Sequence, residues 1–296
     1  MAKANSKIRI STGERVFGTV NVCFMVLFSI VMLYPMLYVI FASFSSAFLL
    51  MAHRGILWGP EGFSLAAYSH VFKNAMIPTG FRNTLFIVIV GTAINLLMST
   101  MGAFFLSRKE QTLRVPVTFF ILFTMFFSGG MIPSYLNVLQ LRIDDTLWSV
   151  ILPGAINTFY LLILRTSFLG IPDSLEESAK LDGANHWVIL TRIYVPLSTA
   201  VLAVMVLYYG VDHWNAWFNA MLYLRDRRLY PLQLTLREIL IFNDTSQMLN
   251  TAIDAERISE TIKYAVIVVV TLPILALYPF LQKYFVKGVM IGAVKG

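Results

Sequence analysis

The chain has 296 residues, 57% of them hydrophobic and 13% charged, with a mean hydropathy of +0.71. Soluble domains carry about a quarter charged residues, so this composition excludes a water-facing globule and requires lipid over much of the surface. The formal charge of +7 is not a nucleic-acid footprint. Lys3, Lys7, Arg9 and Arg15 precede the first apolar run, Lys283, Lys287 and Lys295 follow the last, and no basic stripe with interleaved aromatics exists.

Six runs are long and apolar enough to span a bilayer, at about 17–42, 81–106, 115–135, 149–169, 193–222 and 261–282. The first is too long for a secretory leader, and its Cys23, the sole cysteine, has no partner for an intrachain disulfide or a thiolate cluster. An even number of spans places both termini on one side, and their basic residues make that side the cytoplasm. Arg108, Lys109 and Arg114 between spans two and three agree with this orientation. The segment at about 223–260 holds five arginines but would lie outside, as long loops do largely regardless of charge.

Within span two, Gly91, Asn95, Ser99 and Gly102 or Ala103 recur at helical spacing and draw a small, polar stripe. Helix packing is the favoured role of that stripe, with Asn95 seeking a partner across the interface. Span three ends in Ser128-Gly-Gly-Met-Ile-Pro133, where the backbone is weakened. A broken helix lining a path and an ordinary helix end both fit. Pro273 and Pro279 are kink candidates in span six.

Between spans four and five runs Gly170-Ile-Pro-Asp-Ser-Leu-Glu-Glu-Ser-Ala-Lys-Leu-Asp-Gly-Ala-Asn-His-Trp187. Asp173 is placed to cap a helix starting at Ser174, with Glu176 in the capping-box position and Gly183 to end it. A helix of two to three turns on the cytoplasmic side follows. With small Ser178, Ala179 and Ala184, apolar Leu175 and Leu181, and charged Glu177 and Asp182, it suits insertion into a groove on another protein. An amphipathic connector lying on the membrane or on the protein itself fits the same residues.

Span five carries Tyr208-Tyr-Gly-Val-Asp-His-Trp-Asn-Ala-Trp-Phe218. Asp212 or His213 at membrane depth would cost a few kcal/mol unless facing protein or water. Trp214 and Trp217 could stack on sugar faces, with Asp212 and Asn215 bonding hydroxyls, which makes these four a candidate substrate path. An aromatic belt or inter-subunit packing is the preferred reading of the stretch. No Gly-x-x-x-x-Gly-Lys-Ser/Thr loop, no zinc spacing among His53, His70, His186 and His213, and no Ser-His-Asp grouping is present. A nucleotide hydrolase, a metal site and a catalytic centre are therefore not expected.

Glu177-Ser-Ala179, then Gly183, Ile193 and Pro196 resembles the EAA loop of binding-protein-dependent ATP-binding-cassette (ABC) importers, with Ser178 in place of the usual first alanine. Ser128–Tyr135, Ile151–Ala155, His213–Phe218 and Lys287–Gly296 extend the resemblance over most of the chain, toward the carbohydrate-uptake permeases of the LplC/YtcP type and, more distantly, MalG. The resemblance implies an all-α integral membrane fold: six transmembrane helices of the MetI-like, type I importer class, with a cytoplasmic EAA coupling helix. It implies an N-terminal segment, first helix and external loop at 1–80, a core at 81–285 with the EAA loop at about 171–196, and a cytoplasmic tail at 286–296. Glu177, Ser178, Ala179, Asp182, Gly183, Ile193 and Pro196 would couple the chain to a separate ATPase, and Lys295 and Gly296 would reach the same partner. The implied setting is a bacterial cytoplasmic membrane. There a second permease, making a heterodimer, an ATPase dimer using ATP and Mg, and an extracytoplasmic sugar-binding protein complete the importer. No cofactor is expected on this chain itself.

Overall fold

The computed structural model describes residues 11–242 and 260–276. Every regular element among them is helical, and the one β-type pairing is an isolated bridge between Ser45 and Phe63. The chain forms two compact units, Met1–Val71 with Leu249–Val268, and Phe72–Met248 with Val269–Gly296.

In the first unit, α1 (Thr12–Ser43) opens with a reciprocal capping box between Ser11 and Glu14, which satisfies donors that a helix start leaves unpaired. Its apolar residues run right round the helix and are exposed along nearly its whole length, as a lipid-facing element requires. After α1 the chain doubles back through α2 (Ala47–Ala52). Tyr34 accepts from the Leu57 N–H at 3.0 Å and Ser43 bonds the Tyr68 hydroxyl at 2.8 Å. α3 (Ala66–Lys73) leads out of this unit.

The second unit holds the helices that position the site. α4 (Met76–Ser107) is continuous, with a π-helical turn at Ile87–Gly91. α5 (Arg114–Phe126) and α6 (Met131–Gln140) are bent 116° apart, and α7 (Leu147–Gly154) and α8 (Thr158–Leu169) by 49°. α9 (Asp173–Leu181) is the loop helix. α10 (His186–Leu197) meets α11 (Thr199–Asn215) at 86°, before α12 (Phe218–Tyr223) and α13 (Leu232–Phe242). Residues 260–276 form a further helix, of which the part up to Val268 belongs to the first unit.

The third expected span takes the broken form that Ser128–Pro133 left open, and the fourth and fifth are corrected from uniform to bent. The third breaks at 127–130, where Gly130 takes φ +89°, and Pro133 sits inside the first turn of α6, a position that needs no proline N–H. α5 alone is 13 residues long, about 20 Å at 1.5 Å per residue, against about 30 Å of hydrocarbon. The fourth breaks at Ala155–Asn157, where Asn157 caps α8 by accepting from the Phe159 and Tyr160 N–H groups. The fifth begins seven residues early, at His186, turns sharply at Ser198 and stops at Asn215. Two helices and three bent pairs among the described residues are thus apolar enough to cross a membrane, five crossings if each pair is one. The sixth expected run is helical over 260–276. Its remainder, with Pro279, Lys295 and Gly296, lies outside the described residues.

The small polar stripe of α4 is a packing face. Asn95 donates to the Gly154 and Ala155 carbonyls at 2.7 and 3.0 Å, and its Oδ1 lies 2.6 Å from His213 Nε2. Ser99 meets the Tyr209 hydroxyl at 2.6 Å. These bonds satisfy polar groups that would be costly in lipid, including the buried His213. Beside them Leu161, Leu164, Phe168, Ile189 and Met205 form the main apolar core.

Candidate functional site

The loop helix α9 is defined by its ends. Pro172, at φ −60° and ψ 132°, is the N-cap residue. The expected Asp173 cap is absent: Asp173 is already the first helical residue, and its carboxylate pairs with Lys109 at 2.6 Å. At the other end Gly183 adopts φ +78°. Its N–H bonds the Lys180 carbonyl at 3.0 Å, and the Ala184 N–H bonds that of Ala179 at 2.9 Å. That double closure is a Schellman motif, and its left-handed residue explains the glycine. Asn185 then caps α10 by accepting from the Val188 N–H at 2.9 Å.

Successive residues on a helix lie about 100° apart, so one of two adjacent glutamates can be buried while the other stays exposed. Glu177 is exposed, together with Ser178, Asp182 and Gly183, and Leu181 is 90% exposed at the helix end. Ala179 and Ala184 instead turn inward and pack against the main core, so of the three small residues Ser178 alone faces out.

Glu176 also faces inward, and the capping-box role expected for it is taken over by an ion pair. Its Oε1 pairs with Arg108 Nη2, while its Oε2 accepts from the Tyr194 hydroxyl at 2.7 Å. Lys180 adds a contact at 3.1 Å and itself reaches both oxygens of Glu110 at 2.7 Å. Arg108 is 4% exposed; its other arm lies 2.6 Å from His186 Nδ1, and its guanidinium stands 5.0 Å over the Phe104 ring. Arginine can only donate, so His186 Nδ1 is the acceptor of that contact. Burial raises the Glu176 pKa, but hydrogen bonds from Tyr194 and Lys180 and the Arg108 charge outweigh it and hold the carboxyl below its ordinary 4.5. The bond to Glu110 lifts Lys180 above its ordinary value. These groups line a polar cleft of about 200 Å³ between α9 and the α4–α5 loop.

Of the other loop residues, Ile193 packs on the main core, and Pro196 is exposed two residues before the bend at Ser198. The span-five candidates do not converge on one point. Asp212 accepts from the Tyr160 hydroxyl at 2.9 Å. Trp214 is buried, its ring 6.1 Å from that of Phe81. Asn215 is exposed and accepts from Gln233 at 3.4 Å, and Arg237 lies over the Trp217 ring at 3.6 Å. Sequence reasoning missed Arg108, Tyr194, Lys180 and His186 as members of the loop site, and Tyr160, Gln233 and Arg237 near span five. Lys180 had a signal, lying at i+4 from Glu176 on one helix face, whereas the other partners, 18 to 78 residues apart, leave no spacing signal.

No protein-family model matches the chain. It is 41% identical over 288 residues to the polygalacturonan/rhamnogalacturonan transport system permease protein YtcP of Bacillus subtilis (strain 168), covering 96% of this chain and 99% of that protein. Protein LplC of the same organism is 42% identical over 283 residues, covering 95% and 96%. A chain in the crystal structure of a bacterial ABC transporter that imports the acidic polysaccharide alginate superposes with a TM-score of 0.88 at 32% identity, covering 94% of this chain and all of that one.

Proposed function

The chain belongs to the carbohydrate-uptake permeases of ABC transporters, and we propose that it carries an oligosaccharide or polysaccharide fragment across a bacterial cytoplasmic membrane as one half of a permease heterodimer. The observation that carries the mechanism is α9, a helix entered through Pro172 and closed at Gly183, whose outer face leaves Leu181, Glu177 and Ser178 open. A groove on a separate ATPase receives this face: Leu181 fills an apolar pocket, Glu177 makes the polar contact, and Gly183 fixes where the helix stops. ATP and Mg act on that partner, since this chain has no phosphate-cradling loop.

Six spans with both termini in the cytoplasm place α9 on the ATPase side, the helix over 260–276 starting the sixth. Closure of the ATPase dimer moves the paired loop helices, and the spans rock between inward-facing and outward-facing states. An extracytoplasmic binding protein delivers the sugar. Asp212, Trp214, Asn215 and Trp217 stand near the outer end of span five, and their existing partners suit packing with the second permease. Lys295 and Gly296 add a tail contact to the ATPase.

Affinity purification from detergent-solubilised membranes tests the reading. A second permease and an ATPase with a phosphate-binding loop are expected to copurify, and ATP-dependent sugar uptake is expected on reconstitution. A chain that purifies alone and transports on an ion gradient without ATP would overturn it in favour of a secondary transporter.

A further inference from the structure

A push received at α9 reaches the spans only if α9 cannot turn on its own joints. Covalently it hangs between two bends, Gly170–Pro172 before it and Gly183 at φ +78° after it. Ala179 and Ala184 pack α9 on the main core, and three ion pairs then resist its rotation. Lys109–Asp173 joins side chains 66% and 61% exposed, and Lys180–Glu110 joins side chains 30% and 66% exposed. Such open pairs contribute about 0–1 kcal/mol and exchange freely with water. The third tie, Arg108 to Glu176, is buried, and the same carboxylate is held from a third helix by Tyr194.

We propose that Arg108 is a positioning residue of the transport cycle, clasping α9 to the cytoplasmic end of α4 so that motion imposed on the loop helix drives span two directly. This rests on reading α9 as the ATPase contact. Glu176 is the shared pin: one oxygen serves Arg108 at the C-cap of α4, the other serves Tyr194 of α10, and three segments move as one body. α4 is the helix whose Asn95 and Ser99 grip the end of α7 and α11 deeper in the fold. A displacement entering at Arg108 therefore spreads to those helices through buried hydrogen bonds. Without the clasp, α9 answers the ATPase by pivoting at Gly183 and Pro172, and hydrolysis runs without moving the spans.

The test uses the assembled importer in proteoliposomes and reads sugar transported per ATP hydrolysed. Arg108→Met/Glu176→Gln removes both charges together, so no unpaired charge stays buried and stability is little changed. The double variant is expected to retain wild-type amounts of copurified ATPase and binding-protein-stimulated hydrolysis, while transport per ATP falls by at least about tenfold. Arg108→Lys keeps the charge and is expected to stay within about threefold of wild type, as lost fork geometry rather than lost pairing predicts. A wild-type ratio in the double variant overturns the inference. So does a parallel fall of transport, hydrolysis and bound ATPase, which would mark Arg108 as merely structural. A wild-type chain that captures no ATPase sinks instead the reading of α9 on which the inference stands.

Discussion

Replacing Gly183 by alanine perturbs the loop helix while leaving the spanning helices alone. A Cβ built at Gly183 meets nothing within 4 Å, so the whole penalty is in the backbone, held at φ +78°. Left-handed geometry costs an L-residue about 1–2 kcal/mol. Relaxing to negative φ forfeits instead the two closing bonds, at 3.0 and 2.9 Å, worth about 1 kcal/mol each. The two escapes are nearly equal, so the free variant frays at its helix end, and a nine-residue helix has no reserve of its own to resist. An ATPase that recognises the capped end must restore it on binding. Its affinity is expected to fall about 5- to 30-fold, the equivalent of 1–2 kcal/mol. The assay is a titration of purified ATPase onto solubilised permease, with yield and monodispersity reporting insertion. Gly154→Ala, also with open space at its Cβ but without positive φ, is the control and is expected to bind as wild type. Unchanged affinity in Gly183→Ala, or an equal loss in Gly154→Ala, refutes the reasoning.

Gly91→Ala is expected to destabilise the permease by about 1–3 kcal/mol through overpacking. Its Cβ would lie 2.5 Å from His213 Nε2, an atom that Asn95 holds in place, and a melting curve in detergent as stable as wild type would show that the stripe is not the tight packing face described. For pH, Glu176 is depressed in the folded state, so its stabilisation is complete above its ordinary 4.5 and is lost as pH falls through the lower folded value. The stability difference between wild type and Glu176→Gln should therefore be flat near neutrality and shrink below pH 4.5; a difference independent of pH would mean that the ion pair is not formed. Trp217→Ala removes the face under Arg237, a contact worth about 0.5–2 kcal/mol, without touching α9. It is expected to lower uptake less than Gly183→Asp does, and the reverse order would relocate the working site to span five.

The membrane class, the apolar runs and the loop helix were legible because each is a local property. Composition sets the first, run length the second, and Pro172 with Gly183 brackets the third. Of the bends, Ser128–Pro133 announced one as an open possibility, and the other two were not legible in the same way. Hydropathy averages over a window and stays high across Phe127, Ala155 and Leu197, although Gly130, Asn157 and Ser198 stand at the breaks. Each of those residues has ordinary uses inside a membrane helix. Only the neighbouring packing decides whether it ends one.

Glu176 shows the limit most clearly. Three residues after Asp173 it satisfies a capping-box pattern, and beside Glu177 it looks like one of two solvated acids. Which of the two turns inward depends on the face that α9 lays against the protein, and that face is chosen by Ala179 and Ala184 meeting the main core. Once these two pack, the helical period carries Glu176 inward, to a place where Arg108 and Tyr194 are already waiting and a backbone cap is out of reach. A buried carboxylate without a cation would be expelled or protonated. The burial of one acid and the exposure of the other are therefore one decision: the same rotation that buries Glu176 is what leaves Glu177 and Leu181 exposed.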